Sequence, residues 1–537
     1  MVRIGMAQLR NRVGAAEGFR KQIERLSDEF ADQADLLVFP EMTLCGYPAE
    51  DLLLRQGFLD QCDAARRGLL AQTLPMPVIF GHPSRDGEGH LYNAATWVSH
   101  EGAVEYSKRE LPNYAVFDEK RYFSPGSRPC VRTIAGVPAA LLICEDAWLG
   151  RAAVDALDEG AQLLIVINAS PWHVGKLEQR IAAMRERVLQ TGMPLIYVHW
   201  TGAQDDLVFD GQSFALNGDG SVAAIAPAFI EGVFVLELDP ASGQFATPGW
   251  HVDPPVDQTP LMYQALVIGL RDYVEKNRFP GVLLGLSGGI DSALTLVIAV
   301  DALGAQRVRA CMLPSRYTAQ LSLDGASQQA AALGVAYADL SIEPAFQALL
   351  DTLQPEFAGR KEDVTEENLQ SRIRGLLLMA LSNKLGHMVM ATGNKSEMAV
   401  GYATIYGDMC GGYAPLKDVY KTEVFDLARW RNAQGAVPVI PPAVIDRPPS
   451  AELRANQTDQ DSLPPYPLLD AILNRFIEAE RSFDEIVAEG FDAATVQRVI
   501  GMVLRNEYKR HQSAPGPRVT SRAFGRDRRY PISSDYR

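Results

Sequence analysis

Cysteine is scarce in this chain. Six cysteines (Cys45, Cys62, Cys130, Cys144, Cys311 and Cys410) are scattered over 537 residues without CxxC spacing. That spacing argues against a disulfide framework and against a thiolate zinc site. No apolar run reaches the ~20 residues needed to span a bilayer, so no membrane partner is expected. The opening MVRIGMAQLR passes straight into a strand-like alternation and lacks the succession of charged, apolar and small residues of a signal peptide, so the expected location is cytoplasmic. Internal repeats and extended low-complexity segments are absent, and none of the eight histidines sits in a Cys-His motif. A net charge of -15 disfavours polyanions, and no nucleic-acid partner is expected. Lys and Arg do gather between Arg505 and Arg529. That tail reads as a solvated end, a nucleic-acid patch or an ordered segment; the interleaved Tyr508, Phe524 and Tyr530 favour order, because they offer apolar anchors.

The length suggests two domains of roughly 250 residues. In the first half, short apolar strands (VRIGMAQL, LLVFPEM, PVIFGHP, AALLICEDAW, LLIVINAS, PLIYVHW) alternate with helical stretches such as 19–30, which indicates an α/β fold. The pattern lapses in LDPASGQFATPGWHVDPPVDQTP at 238–260. This sets the expected boundaries at 1–245 for the first domain, 246–264 for a linker and 265–537 for the second. The second half predicts a helix near 261–277, the strand GVLLGLS, a helix from Asp291, the strand RVRACML, a helix near 324–333 and the strand HMVM. Such a doubly wound α/β pattern places ligand loops at strand C-termini. The Pro-rich stretch 441–467 reads as an ordered surface loop.

SGGIDS at 287–292 follows a buried strand and opens a helix. Gly288 and Gly289 let the backbone wrap a phosphate, Ser287 and Ser292 add hydroxyls, and the helix N-terminus adds free N–H groups. No Lys follows the glycines, so this is not a GxxxxGK[ST] loop. It resembles the loop of ATP pyrophosphatases, which cradles the pyrophosphate released as ATP transfers AMP. A structural turn capped by Ser and Asp is the bland alternative. Adenylation calls for magnesium, usually on one or two carboxylates plus phosphate oxygens. Asp291 in the loop and Glu397 in ATGNKSE (391–397) are the candidate ligands. ATGNKSE resembles the second motif of NAD+ synthetases, which implies that Thr392 touches the nucleotide and Glu397 holds magnesium. NLQSRIRG (368–375), GGYAPLKDVYKTEV (411–424), YTAQLSLDGA (317–326) and PPSAELR (448–454) resemble segments of glutamine-dependent NAD+ synthetases. The resemblance implies that Arg372 faces a dinucleotide, deamido-NAD+, and that Lys421 meets phosphates. It also makes Lys509 and Arg510 candidates for dinucleotide contact.

Hydrolysing an unactivated amide needs a nucleophile, a proton shuttle and a cation for the oxyanion. Glu41 (LLVFPEM), Lys108 (KRELP) and Cys144 (LLICEDAW) follow apolar strands in that order. Singly they also read as a helix cap, a surface charge and a core hydrophobe. Their segments resemble the nitrilase superfamily, whose fold is an α-β-β-α sandwich. The resemblance makes Glu41 the general base, Lys108 the oxyanion cation and Cys144 a thioester-forming nucleophile, with Glu119 a second carboxylate supporting Lys108. Tyr114, Glu145 and Ser170 become candidates for glutamine's α-amino and α-carboxylate ends. Lys176 stands where some relatives carry Arg, His199 where Asn is common and Asp206 where Glu is common, which puts substrate positioning in doubt. Together the halves imply a ligase that hydrolyses glutamine and uses the ammonia, with ATP, to amidate deamido-NAD+, and the family resemblance implies a homo-oligomer. A ligase for another acceptor, an amidase with a regulatory nucleotide-binding half and a nucleic-acid binder through the tail remain as alternatives.

Overall fold

A computed structural model of the protein describes residues 1–535 and divides them into two compact units, Met1–Gln258 and a second from Thr259 onward. The last strand of the first unit ends at Phe245, and a helix starts at Thr259, inside the stretch read as linker. Among the described residues no helix is long and apolar enough to cross a membrane.

Strand alternation builds the first unit. A seven-stranded sheet runs Gln244–Phe245, Gly232–Asp239, Val2–Gln8, Leu36–Val38, Val78–Arg85, Leu91–Ser99 and Gly102–Ser107. A six-stranded sheet runs Val222–Ile225, Phe214–Leu216, Leu195–His199, Leu163–Asn168, Val137–Ile143 and Val131–Ile134. Leu36, Val38 and Ile79 from one sheet meet Leu141, Ile143, Ile165 and Ile167 from the other in a shared core. The intervening residues face outward, as a period of two requires. Leu37, Val78 and Phe80 pack against Phe19, Ile23, Leu59 and Leu69 of the helices Ala16–Phe30 and Gln56–Leu70. Leu142, Leu164 and Val166 pack against Ala153, Ile181, Met184 and Val188 of the helices Arg151–Asp158 and Lys176–Thr191. This is an α-β-β-α sandwich.

The second unit holds a parallel four-stranded sheet in the order Ala336–Asp339, Val308–Met312, Val282–Gly285 and Met388–Met390. Leu283, Cys311 and Val389 pack on Phe346, Ile373 and Leu378 of the helices Glu343–Phe357 and Val364–Leu385. The helix Ile290–Leu303 contacts two of the strands and the helix Thr259–Lys276. A second core joins the short helix Lys395–Val400 to the helices Tyr466–Ile477, Phe483–Ala488 and Ala493–Arg505, and includes Phe524 of the tail. The stretch 441–467 departs from the expected surface loop: it contains the helix Pro442–Asp446 and a 3-10 turn at Asp459–Asp461, and its residues 449–453 line a cavity.

Candidate active sites

In the first unit, strand ends deliver Glu41, Lys108 and Cys144 to one buried spot. Lys108 Nζ donates to Glu41 Oε1 at 2.7 Å and to Glu119 Oε1 at 2.9 Å. Asn93 Nδ2 donates to Glu41 Oε1 at 2.8 Å, Trp200 Nε1 to the Glu41 carbonyl at 2.8 Å and the Tyr47 hydroxyl to Glu119 at 3.2 Å. All four titratable side chains, Glu41, Lys108, Glu119 and Cys144, are buried. Burial opposes the Lys108 charge, but Glu119 and Glu41 outweigh it and raise its pKa well above the ordinary value. Burial, and next the Glu41 charge, push the Cys144 thiol up as well, so the resting sulfur is protonated and needs a base as it reacts. Burial pushes Glu119 up to about 7, with Lys108 opposing.

Cys144 follows the strand Val137–Ile143 and precedes the four-residue helix Glu145–Trp148, with φ +46° and ψ -99°. A non-glycine residue in such a conformation is strained and persists only where its surroundings fix it. Its N–H donates to the Ile167 carbonyl at 2.9 Å on the neighbouring parallel strand. Tyr114, 54% exposed, donates to Glu145 at 3.0 Å. Burial raises the Glu145 carboxyl, and the Tyr114 bond opposes that rise. The Ser170 carbonyl accepts from Arg180 at 2.6 Å and from His199 Nε2 at 2.7 Å, while Arg180 is paired to Asp210 at 2.7 Å with both side chains fully buried. The Lys176 ammonium stands 4.6 Å from the Trp148 ring centre, and Asp206 lies at the turn between the strands Thr201–Gln204 and Leu207–Asp210.

In the second unit, SGGIDS joins the strand Val282–Gly285 to the helix Ile290–Leu303. Gly288 has φ +76°, and a Cβ there would lie 2.4 Å from the Ser322 carbonyl, so the turn admits only glycine. Ser287 and Ser292 approach to 3.1 Å, and Ser292 Oγ donates to the Gly289 carbonyl at 3.0 Å. The loop lines a cavity of about 280 Å³ together with Thr392, Glu397, Lys421, Arg374 and Asp459. Lys421 Nζ bridges Asp291 and, at 3.3 Å, Glu397. Asn394 donates to Asp291 at 2.8 Å and accepts from the Glu397 N–H at 3.0 Å, tying the two carboxylate segments together. Burial pushes Glu397 up to about 8, Lys421 opposing and Asp291 adding. Two carboxylates that already hold an ammonium between them suit a small cation. Among the described residues no cluster of three or more His, Cys, Asp or Glu is placed to hold a metal.

Comparison with known proteins then decides the family. A carbon-nitrogen hydrolase family model matches residues 3–247, and an NAD synthase family model matches residues 262–513. The glutamine-dependent NAD+ synthetase of Xanthomonas campestris pv. campestris is 53% identical over 543 residues, covering 100% of this chain and 98% of the relative. The chain belongs to the glutamine-dependent NAD+ synthetases. The Acinetobacter baylyi member is 47% identical over 100% of this chain and 99% of its own length. Among solved structures, an Acinetobacter baumannii glutamine-dependent NAD+ synthetase in complex with ADP aligns with TM-score 0.81 and 44% identity, covering 99% of this chain and 98% of that one.

Three residues expected at the dinucleotide are held by contacts within the chain. Arg372 is exposed on the helix Val364–Leu385, donates to the Ile405 carbonyl at 3.3 Å and is not among the cavity-lining residues; Arg374 is. Lys509 Nζ donates to the carbonyls of Gly401 and Ala403 at 2.7 and 2.8 Å. Arg510, buried, donates to the Ala399 carbonyl at 2.7 Å and to Glu507 at 2.6 Å. Both cations therefore serve orphan carbonyls at or just beyond the end of the helix Lys395–Val400, where positive charge is favoured. The tail is otherwise ordered: Phe524 is buried and Arg528 stacks 3.6 Å from the Tyr530 ring centre. Asn93, Tyr47, Arg374 and Asp459 escaped the sequence reading. A buried Asn in the apolar strand LYNAATWVS was the one available signal among them.

Proposed function

We propose that this chain amidates deamido-NAD+ to NAD+, with glutamine as nitrogen donor and ATP cleaved to AMP and pyrophosphate. The observation that carries this reading is that both sites occur in one chain whose relatives match it from end to end. In the first unit Glu41 takes the Cys144 thiol proton as sulfur attacks the glutamine carboxamide carbon. The Lys108 ammonium stabilises the tetrahedral oxyanion, and Glu41 hands the proton to the departing nitrogen, leaving a thioester and ammonia. Glu41 then deprotonates water, which attacks the thioester; glutamate leaves and the thiol is restored. Glu145 with Tyr114 suits glutamine's ammonium, and Ser170 and Lys176 suit its carboxylate.

In the second unit a carboxylate oxygen of deamido-NAD+ attacks the ATP α-phosphorus, releasing pyrophosphate into the Ser287–Ser292 turn. Ammonia then attacks the adenylated carbonyl carbon, expelling AMP. Asp291 and Glu397 would hold magnesium, which when bound neutralises phosphate charge. Thr392 faces the nucleotide, and Lys421 and Arg374 supply fixed cations toward phosphate. Exposed Leu376, Met379 and Leu385 on one helix support a homo-oligomer, testable by light scattering. The test of function is to supply ATP and deamido-NAD+ with either glutamine or ammonium. NAD+ and AMP should form one to one with both donors; AMP formation independent of deamido-NAD+ would overturn the reading.

A further inference from the structure

Asp146 lies two residues beyond Cys144, is fully buried and touches none of the groups assigned to the chemistry above. Its four hydrogen bonds reach both flanks of the catalytic cluster. Oδ1 accepts from the backbone N–H groups of Arg109 at 2.9 Å and Glu110 at 2.8 Å, the two residues immediately after Lys108. Oδ2 accepts from the Ile143 N–H at 3.0 Å, the residue immediately before Cys144, and from the Tyr106 hydroxyl at 2.7 Å, two residues before Lys108. Lys108 and Cys144 leave strands in different sheets of the sandwich, so no strand ladder sets the distance between them. One carboxylate joins the two strand ends.

We infer that Asp146 is a positioning residue that fixes the oxyanion cation against the nucleophile by clamping the backbone beside Lys108 to the backbone beside Cys144. Only an ionised carboxylate can accept all four donors, because its two oxygens offer about four lone-pair sites with neither the O–H of the acid nor the N–H of an amide. The clamp also explains how Cys144 is kept at φ +46°, since a strained residue needs neighbours that over-determine it. This inference rests on the glutaminase reading of the Glu41–Lys108–Cys144 site.

D146N separates the two ends of the clamp. Its carbonyl can go on serving Arg109 and Glu110 while its NH2 donates to the Tyr106 oxygen, which leaves the Ile143 N–H facing another donor. Shifts near 1 Å at a reacting centre cost about a hundredfold. The experiment measures glutamate release from glutamine, melting temperature and the rate of Cys144 alkylation by iodoacetamide for wild type, D146N and D146E. The expected result for D146N is a kcat lower by about a hundredfold, with KM for glutamine within about threefold, because the groups that hold the substrate's ends are untouched. Alkylation should slow in parallel. D146E, which keeps the acceptors but displaces them by one methylene, should fall between and decides the matter if D146N does not fold. A folded variant with near-wild-type kcat, or one whose only change is a raised KM, would overturn the clamp. A wild-type protein without Cys144-dependent glutamate release would instead overturn the glutaminase reading itself.

Discussion

The two units each contain a lysine held between two carboxylates, and they differ in what surrounds it. Lys108 lies between Glu41 and Glu119 with side chains 0%, 1% and 5% exposed, and further donors from Asn93 and Tyr47 complete a sealed cluster. Lys421 lies between Asp291 and Glu397 with side chains 2%, 17% and 18% exposed, and all three line a cavity. In the sealed cluster the ammonium has no other partner to go to, which suits a fixed cation awaiting an oxyanion. In the open cluster the carboxylates can trade the ammonium for an incoming ion, which suits phosphate chemistry. Under the proposed function the same charge pattern serves two chemistries, and solvent access separates them.

Removing each lysine should test that difference most strongly. K108M leaves two buried carboxylates uncompensated, so a stability loss of about 3–5 kcal/mol is expected, together with a roughly thousandfold fall in glutamine hydrolysis. K421M leaves two carboxylates that still reach the cavity, so a loss smaller than that of K108M is expected. Urea unfolding followed by fluorescence compares the two, and equal losses would break the contrast. Next in size, E397Q should lower NAD+ formation about a hundredfold with either nitrogen source while leaving glutamate release from glutamine intrinsically competent. Loss confined to the glutamine-driven reaction would misplace Glu397.

A smaller effect concerns the tail. R510M removes a cation from the end of the helix Lys395–Val400 and half of the charge around Glu507, which Arg528 still meets. A stability loss of about 2–3 kcal/mol is expected, with the KM for deamido-NAD+ unchanged in the folded fraction. A raised KM without destabilisation would return Arg510 to the dinucleotide.

The smallest effect is a pH dependence. Glu119 is pushed up to about 7, chiefly by burial. The folded protein therefore keeps a proton that the unfolded chain releases from about pH 4.5 upward. Its contribution to stability is present below that value and lost as pH rises toward 7. E119Q, neutral throughout, should gain on wild type between pH 5 and pH 8 by on the order of 1–3 kcal/mol. Parallel stability curves for the two proteins would show that Glu119 titrates normally.

Much of each candidate site was legible in the sequence because its residues sit where strands end. Glu41, Lys108, Cys144 and the SGGIDS turn each follow an apolar strand, and local pattern suffices to mark them. The supports were not legible. Asp146 acquires its meaning from donors 36 to 40 residues away, and Asn394 from a carboxylate 103 residues away. The carbonyl contacts of Lys509 and Arg510 were not legible for a related reason: a cation that grips phosphate and one that caps a helix carbonyl have the same local sequence. The boundary near Thr259 blurred because the helix Thr259–Lys276 begins with Thr-Pro, which in sequence continues the Pro-rich stretch before it.

The central claim is that one site makes the ammonia the other consumes, and C144A tests it most directly. NAD+ should be measured with ATP and deamido-NAD+ for wild type and C144A, each supplied in turn with glutamine and with ammonium. The account predicts a loss of about a thousandfold or more with glutamine and near-wild-type synthesis with ammonium. Equal loss with both donors, or undiminished synthesis from glutamine, would contradict it.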